Sequence, residues 1–130
     1  MILPVTLTTV AAAALINIWL TIRIGALRRA YGISVGDGGN EALQRRMRAQ
    51  LNFAENAPIV VLLIAAIEIA GAGESWLAYV AGAFVLARVA HGFGMDGGKA
   101  QIGRMIGVVV TLATQLFLAG VAVGAVLRLV

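Results

Sequence analysis

Arg45-Arg46-Met47-Arg48-Ala49-Gln50-Leu51-Asn52-Phe53-Ala54-Glu55 leads through Asn56-Ala57-Pro58 into the apolar stretch from Ile59 to Ile67. Three arginines, an asparagine and a glutamate therefore stand at the mouth of a helix that enters lipid. Such groups are expensive at that depth unless each has a partner or water. A chain that tolerates them uses them. This segment decides the fold, as a membrane helix with a polar mouth, and marks where function is expected.

The rest of the composition agrees. Of 130 residues, 61% are hydrophobic and 12% charged, with a mean hydropathy of +0.95. A water-soluble domain is closer to half apolar and a quarter charged, so lipid must solvate much of the surface. The length fits one domain, with up to about four or five crossings at roughly 20 residues each. The absence of cysteine excludes disulfides, thiolate metal sites and a cysteine nucleophile. A single histidine argues against a metal cluster. The net charge of +4 comes from residues in the breaks between apolar runs, which points to membrane topology and away from nucleic acid. Met1-Ile2-Leu3-Pro4 lacks the basic start of a cleavable leader.

The pattern predicts an all-α integral membrane protein, one four-helix domain over residues 1–130 with helices at about 2–30, 41–70, 76–94 and 101–129. Tyr31 to Asn40 is rich in turn residues, with Asn40 or Asp37 as candidate cap for the second helix. Pro58 is expected to kink that helix and not to break it. Arg23, Arg28, Arg29, Arg45, Arg46, Arg48, Arg88, Lys99 and Arg104 fall on the side of the first and third connections, and only Arg128 on the other. The excess of positive charge puts those connections in the cytoplasm and both termini outside. Gly103-x-x-x-Gly107, Gly120-x-x-x-Gly124 and Ala78-x-x-x-Gly82 have the spacing that lets helices approach closely.

At 100° per residue, Arg45, Arg48, Asn52 and Glu55 share an arc of roughly 80° on the second helix. Arg46 and Phe53 point elsewhere. Arg88 and His91 share a face of the third helix, and Arg104, Thr111 and Gln115 a face of the fourth. With Arg28 and Arg29, these stripes are expected to line one cationic cavity. Its arginines suit carboxylate or phosphate, and Glu55 favours a ligand that also carries an ammonium. Simpler roles compete: solvated or topology charges for Arg45 and Arg46, an ion network for Arg48 and Glu55, packing for His91. Asn17 and Gln115 are expected to bridge helices, and Glu68 and Glu74 to be solvated or interfacial.

Arg45-x-x-Arg48-Ala49-Gln50-x-Asn52-x-x-Glu55-x-x-Pro58 resembles the signature of the MAPEG family, the membrane-associated proteins of eicosanoid and glutathione metabolism. Arg28-Arg29-Ala30-Tyr31 is similar to the end of the first helix in its leukotriene synthase branch. Arg88-x-x-His91 is similar to the prostaglandin E synthase branch, and Arg104 matches a basic position near the start of the fourth helix. The resemblance implies a bacterial-type member: a four-helix bundle assembled as a homotrimer in the inner membrane, with glutathione held between subunits near the cytoplasmic face. By position, Arg48, Asn52 and Glu55 would bind glutathione, with Arg28, Arg88 and His91 as further contributors. Arg104 would stabilise the thiolate and Arg29 assist the electrophile. Asn56, Met95 and Val108 stand where several members carry tyrosine.

The function expected is a glutathione-dependent transferase or peroxidase acting on lipophilic electrophiles that arrive from the bilayer. The alternative is a non-catalytic protein on the same scaffold that binds lipid or a partner. A transporter or channel is disfavoured, because the outer halves of the spans carry no continuous polar path.

Overall fold

Pro4 opens the first helix at the one position where its missing N–H and fixed φ are assets. In the computed structural model, which describes residues 1–129, four helices follow one another: α1 (Pro4–Tyr31), α2 (Glu41–Ile69), α3 (Ser75–Gly94) and α4 (Ile102–Val126). A 3-10 turn, Gly98–Gln101, leads into α4. All four helices are long and apolar enough to cross a membrane, and the chain is an integral membrane protein.

The helix ends follow from local chemistry. Asn40 caps α2, its side chain accepting from the Leu43 N–H at 2.9 Å. Gly32, at φ 65°, ends α1 in the left-handed conformation that glycine adopts without a Cβ penalty. No side chain of its own caps α1 at Leu3. Instead the Glu68 carboxylate, from the far end of α2, accepts from Val5 N–H (3.0 Å), Thr6 N–H (2.8 Å) and the Thr6 hydroxyl (2.7 Å). Free N–H groups and the helix dipole both favour an anion there. Glu68, expected to be solvated or interfacial, is thus half-buried and structural. Helix α2 runs on through Pro58.

The core joins all four helices. Ala49, Phe53, Ala57, Val60, Ile64 and Ile67 form one stripe of α2 at helical spacing. They meet Ile16 and Leu20 of α1, Leu77, Ala81 and Phe84 of α3, and Leu118 of α4. Leu15, Ile22, Leu62, Leu86 and Leu116 are exposed, as lipid-facing residues are.

Helices α3 and α4 approach most closely where glycine allows it. A Cβ on Gly103 would stand 2.3 Å from the Ala90 carbonyl oxygen, and one on Gly107 2.3 Å from the His91 Cβ. Around Gly82 and Gly120 there is open space. Of the three small-residue pairs, Gly103/Gly107 is therefore spent inside the chain, whereas Ala78 and Gly82 both face outward. Gly107→Ala is expected to lower stability by about 1–3 kcal/mol through overpacking. Gly120→Ala should leave it unchanged. Melting of the two variants in detergent checks this, and coincident curves would refute the close approach.

Candidate functional site

The basic residues converge where α1 and α3 end and α2 and α4 begin. Asp96, the one acid between α3 and α4, holds this end together. It pairs with Arg23, and its other carboxylate oxygen accepts from Arg46 at 3.4 Å. Arg23 also donates to the Gly92 carbonyl (2.8 Å) and lies over the rings of Trp19 and Phe93. Arg46 reaches back to the Arg23 carbonyl at 2.8 Å. These two arginines tie α1, α2 and α3 together, a task the sequence did not assign them. The available signal was an isolated acid in a strongly basic region.

Deeper in the bundle, Arg88 is buried with His91 and Thr111. Its guanidinium donates to Asn52 Oδ1 at 2.7 Å and to the Thr111 hydroxyl at 3.1 Å, stands 3.4 Å from His91 Nδ1 and lies over the Phe53 ring. Its Nε has no partner. No carboxylate pairs with it among the described residues. Beside this group Gln115 donates to Asn56 Oδ1 (2.9 Å), and Asn56 donates to the Asn52 carbonyl (2.8 Å). Gln115 bridges α4 to α2 as expected. On the opposite side of α2, Gln50 donates to Asn17 (3.5 Å) and Thr21 (2.6 Å), which joins α1 to α2.

The single cavity expected from the polar stripes is divided within one chain. Arg28 and Arg48 line a groove of about 700 Å³ between α1 and α2, together with Asn17, Gln44 and Gln50. Arg28 also holds the connecting loop, donating to the Gly36 carbonyl at 2.7 Å. Arg45 and Arg104 line a separate pocket of about 220 Å³ with Gly94, Gly97, Gly98 and Gln101. Arg45 is further paired with Glu41 at 2.6 Å. Asn52, Arg88 and His91 form the buried group. Arg48 and Glu55 are exposed on the outward side of α2 and form no ion pair with each other. Arg29 is exposed on α1.

The physical reason lies in the width of the arc. Asn52 lies toward its inner side, close enough to the core stripe to turn toward α3 and α4. Arg48 and Glu55 sit at its outer edge. Of the positions where the resemblance implies tyrosine, Asn56 is turned inward, Met95 packs against the core and Val108 is exposed.

Inner membrane protein YecN of Escherichia coli strain K12 is 34% identical over 83 residues, 63% of this chain and 63% of that protein. YecN of Escherichia coli O6:H1 strain CFT073 gives the same figures. The chain thus matches a little under two thirds of the length of these curated relatives. The model of the MAPEG family matches residues 6–124, from the first turn of α1 to the last turns of α4. That match takes in all but the outermost residues of the four helices, and the chain belongs to the MAPEG family.

Proposed function

We propose that this protein is a glutathione-dependent membrane transferase or peroxidase for lipophilic electrophiles, with glutathione at a boundary between copies near the cytoplasmic face. Family membership supports the broader reading, a glutathione- or eicosanoid-related membrane function. One observation carries the finer one: Arg48 and Glu55 stand exposed on the outward side of α2 with no ion partner among the described residues. Charges on a lipid-facing surface demand partners. A zwitterionic tripeptide and a neighbouring copy in a homotrimer supply them. The name of the YecN relatives supports the inner membrane as the location.

In this reading Arg48 takes a carboxylate in bidentate fashion, Glu55 the ammonium, and Asn52 a ligand oxygen. Arg28 contributes from the α1–α2 groove. The ligand thiol lies beside Arg104, whose charge favours the thiolate. With an aryl halide, the thiolate lone pair forms the new C–S bond, the C–halogen bond breaks and halide departs, the thiol proton having gone to solvent. Arg29 steadies the developing charge on the electrophile.

Purified protein tests this directly. Glutathione at about 100 times its Kd should stabilise the fold by about 2.7 kcal/mol, and an aryl halide or lipid hydroperoxide should be turned over above the protein-free rate. The absence of both the stabilisation and the turnover would overturn the proposal.

One observation favours the alternative of non-catalytic lipid binding. The Arg28/Arg48 groove shares Asn17 and Ala54 with an apolar slot of about 330 Å³ lined by Val10, Ala13, Phe53, Ala57, Pro58 and Val61. A cationic mouth over an apolar slot fits an anionic amphiphile. Co-purified lipid with no response to glutathione would select this reading.

A further inference from the structure

Arg88 is the most deeply placed charge in the bundle, 2% exposed, and its partners are all neutral: Asn52, His91 and Thr111. A buried cation without a carboxylate is a costly way to join helices. A guanidinium, however, has five N–H donors and no acceptor. Whatever faces it must present a lone pair.

That asymmetry removes the usual freedom of amides and imidazoles to exchange donor and acceptor. The Asn52 atom 2.7 Å from Arg88 Nη2 must be the carbonyl oxygen, so the NH₂ group is the end left over. Among the described residues no acceptor is hydrogen-bonded to that group. The His91 nitrogen 3.4 Å from the same guanidinium must be unprotonated, so the ring proton of neutral His91 sits on Nε2. Thr111 likewise spends its oxygen on Arg88.

We propose that Arg88 is a positioning residue: it turns the Asn52 carbonyl oxygen and His91 Nδ1 toward itself and so presents the Asn52 NH₂ and the His91 Nε2–H as hydrogen-bond donors for a ligand that is rich in oxygen acceptors. A carboxylate or peptide carbonyl meets that requirement; a ligand offering only donors does not. The choice of glutathione as probe rests on the function proposed above. The donor polarity itself does not.

His91 is the only histidine, so ¹⁵N labelling of histidine gives an unambiguous spectrum of this ring. At neutral pH the parent should show the Nε2–H tautomer, and Arg88→Gln, which offers an acceptor as well as a donor, should shift it toward a mixture. An Nδ1–H tautomer in the parent, or one indifferent to Arg88→Gln in a protein that still melts cooperatively, overturns the proposal. The second arm is Asn52→Asp, which gives Arg88 a carboxylate and deletes the outward donor. It should melt above the parent and yet bind glutathione at least tenfold more weakly, with Arg88→Lys also weakened because one ammonium cannot hold the same fork. Equal glutathione affinity in the parent and Asn52→Asp overturns the donor role of Asn52. If the parent shows the expected tautomer but binds no glutathione, the polarity stands and the glutathione reading falls.

Discussion

Arg104→Ala is expected to cut glutathione turnover about 30-fold at pH 7 and to recover toward the parental rate as the pH rises. An ordinary thiol titrates near about 8.5, so only about 3% is thiolate at pH 7. A site that ionises it fully therefore provides about 30 times more nucleophile. Arg104 lies in the first turn of α4, exposed to the small pocket it shares with Arg45. The helix dipole adds to its charge there. The sign follows from the thiol. Without the guanidinium the thiolate fraction grows about tenfold per pH unit up to about pH 8.5 and then saturates, so the deficit is largest at low pH and closes above about pH 9. Arg104→Lys keeps the charge and should retain most activity. Arg45→Ala should cost less, because Arg45 is already engaged by Glu41 (2.6 Å) and the Asp96 carbonyl (3.4 Å). Rates as a function of pH, with the thiolate absorbance followed in parallel, decide the matter. Parallel profiles for parent and Arg104→Ala would remove Arg104 from thiolate stabilisation.

The four membrane helices were legible because apolar runs, turn residues and caps all act locally. Asn40 and the glycine-rich connections announce where α2 begins. The helix-bridging roles of Asn17 and Gln115 were legible for a similar reason, since an amide among apolar neighbours must bond across. The site was legible as a set of residues on single helices, but not as a grouping. Helical spacing places Arg45, Arg48, Asn52 and Glu55 on one arc and is silent about which neighbour each edge of that arc meets. Asn52 meets Arg88, Arg48 borders the groove between α1 and α2, and Glu55 is exposed. Long side chains escape local patterns altogether. Glu68 caps a helix 62 residues earlier in the chain, and Asp96 gathers arginines from α1 and α2 across the whole basic end. Neither contact has a signature in nearby sequence.

Glu55→Leu is expected to move stability and binding in opposite directions. Glu55 lies about 21 Å along α2 from Glu41, at about 1.5 Å per residue, and only the last part of this 29-residue helix is needed to cross a hydrocarbon layer of about 30 Å. Counted back from Ile69, its position falls about 9 Å inside that layer, on the outward side of α2 with the exposed Leu51, Ile59 and Leu62. An acidic side chain costs about 2.5–3.5 kcal/mol at the centre of a membrane helix and less toward its mouth, so without ligand the leucine variant should be the more stable protein by up to that amount. If Glu55 receives the ammonium of glutathione, the same change leaves that charge unpaired in a poorly hydrated site, a loss of about 2–5 kcal/mol. Affinity should then fall by about 30-fold or more. Glutathione acetylated on its amine separates this from general damage to the site. The parent should bind the acetylated form poorly, and Glu55→Leu should bind both forms about equally, because the partner that distinguishes them is gone. A leucine variant that still prefers the free amine would assign the ammonium to another group and leave Glu55 as a contact between copies of the chain.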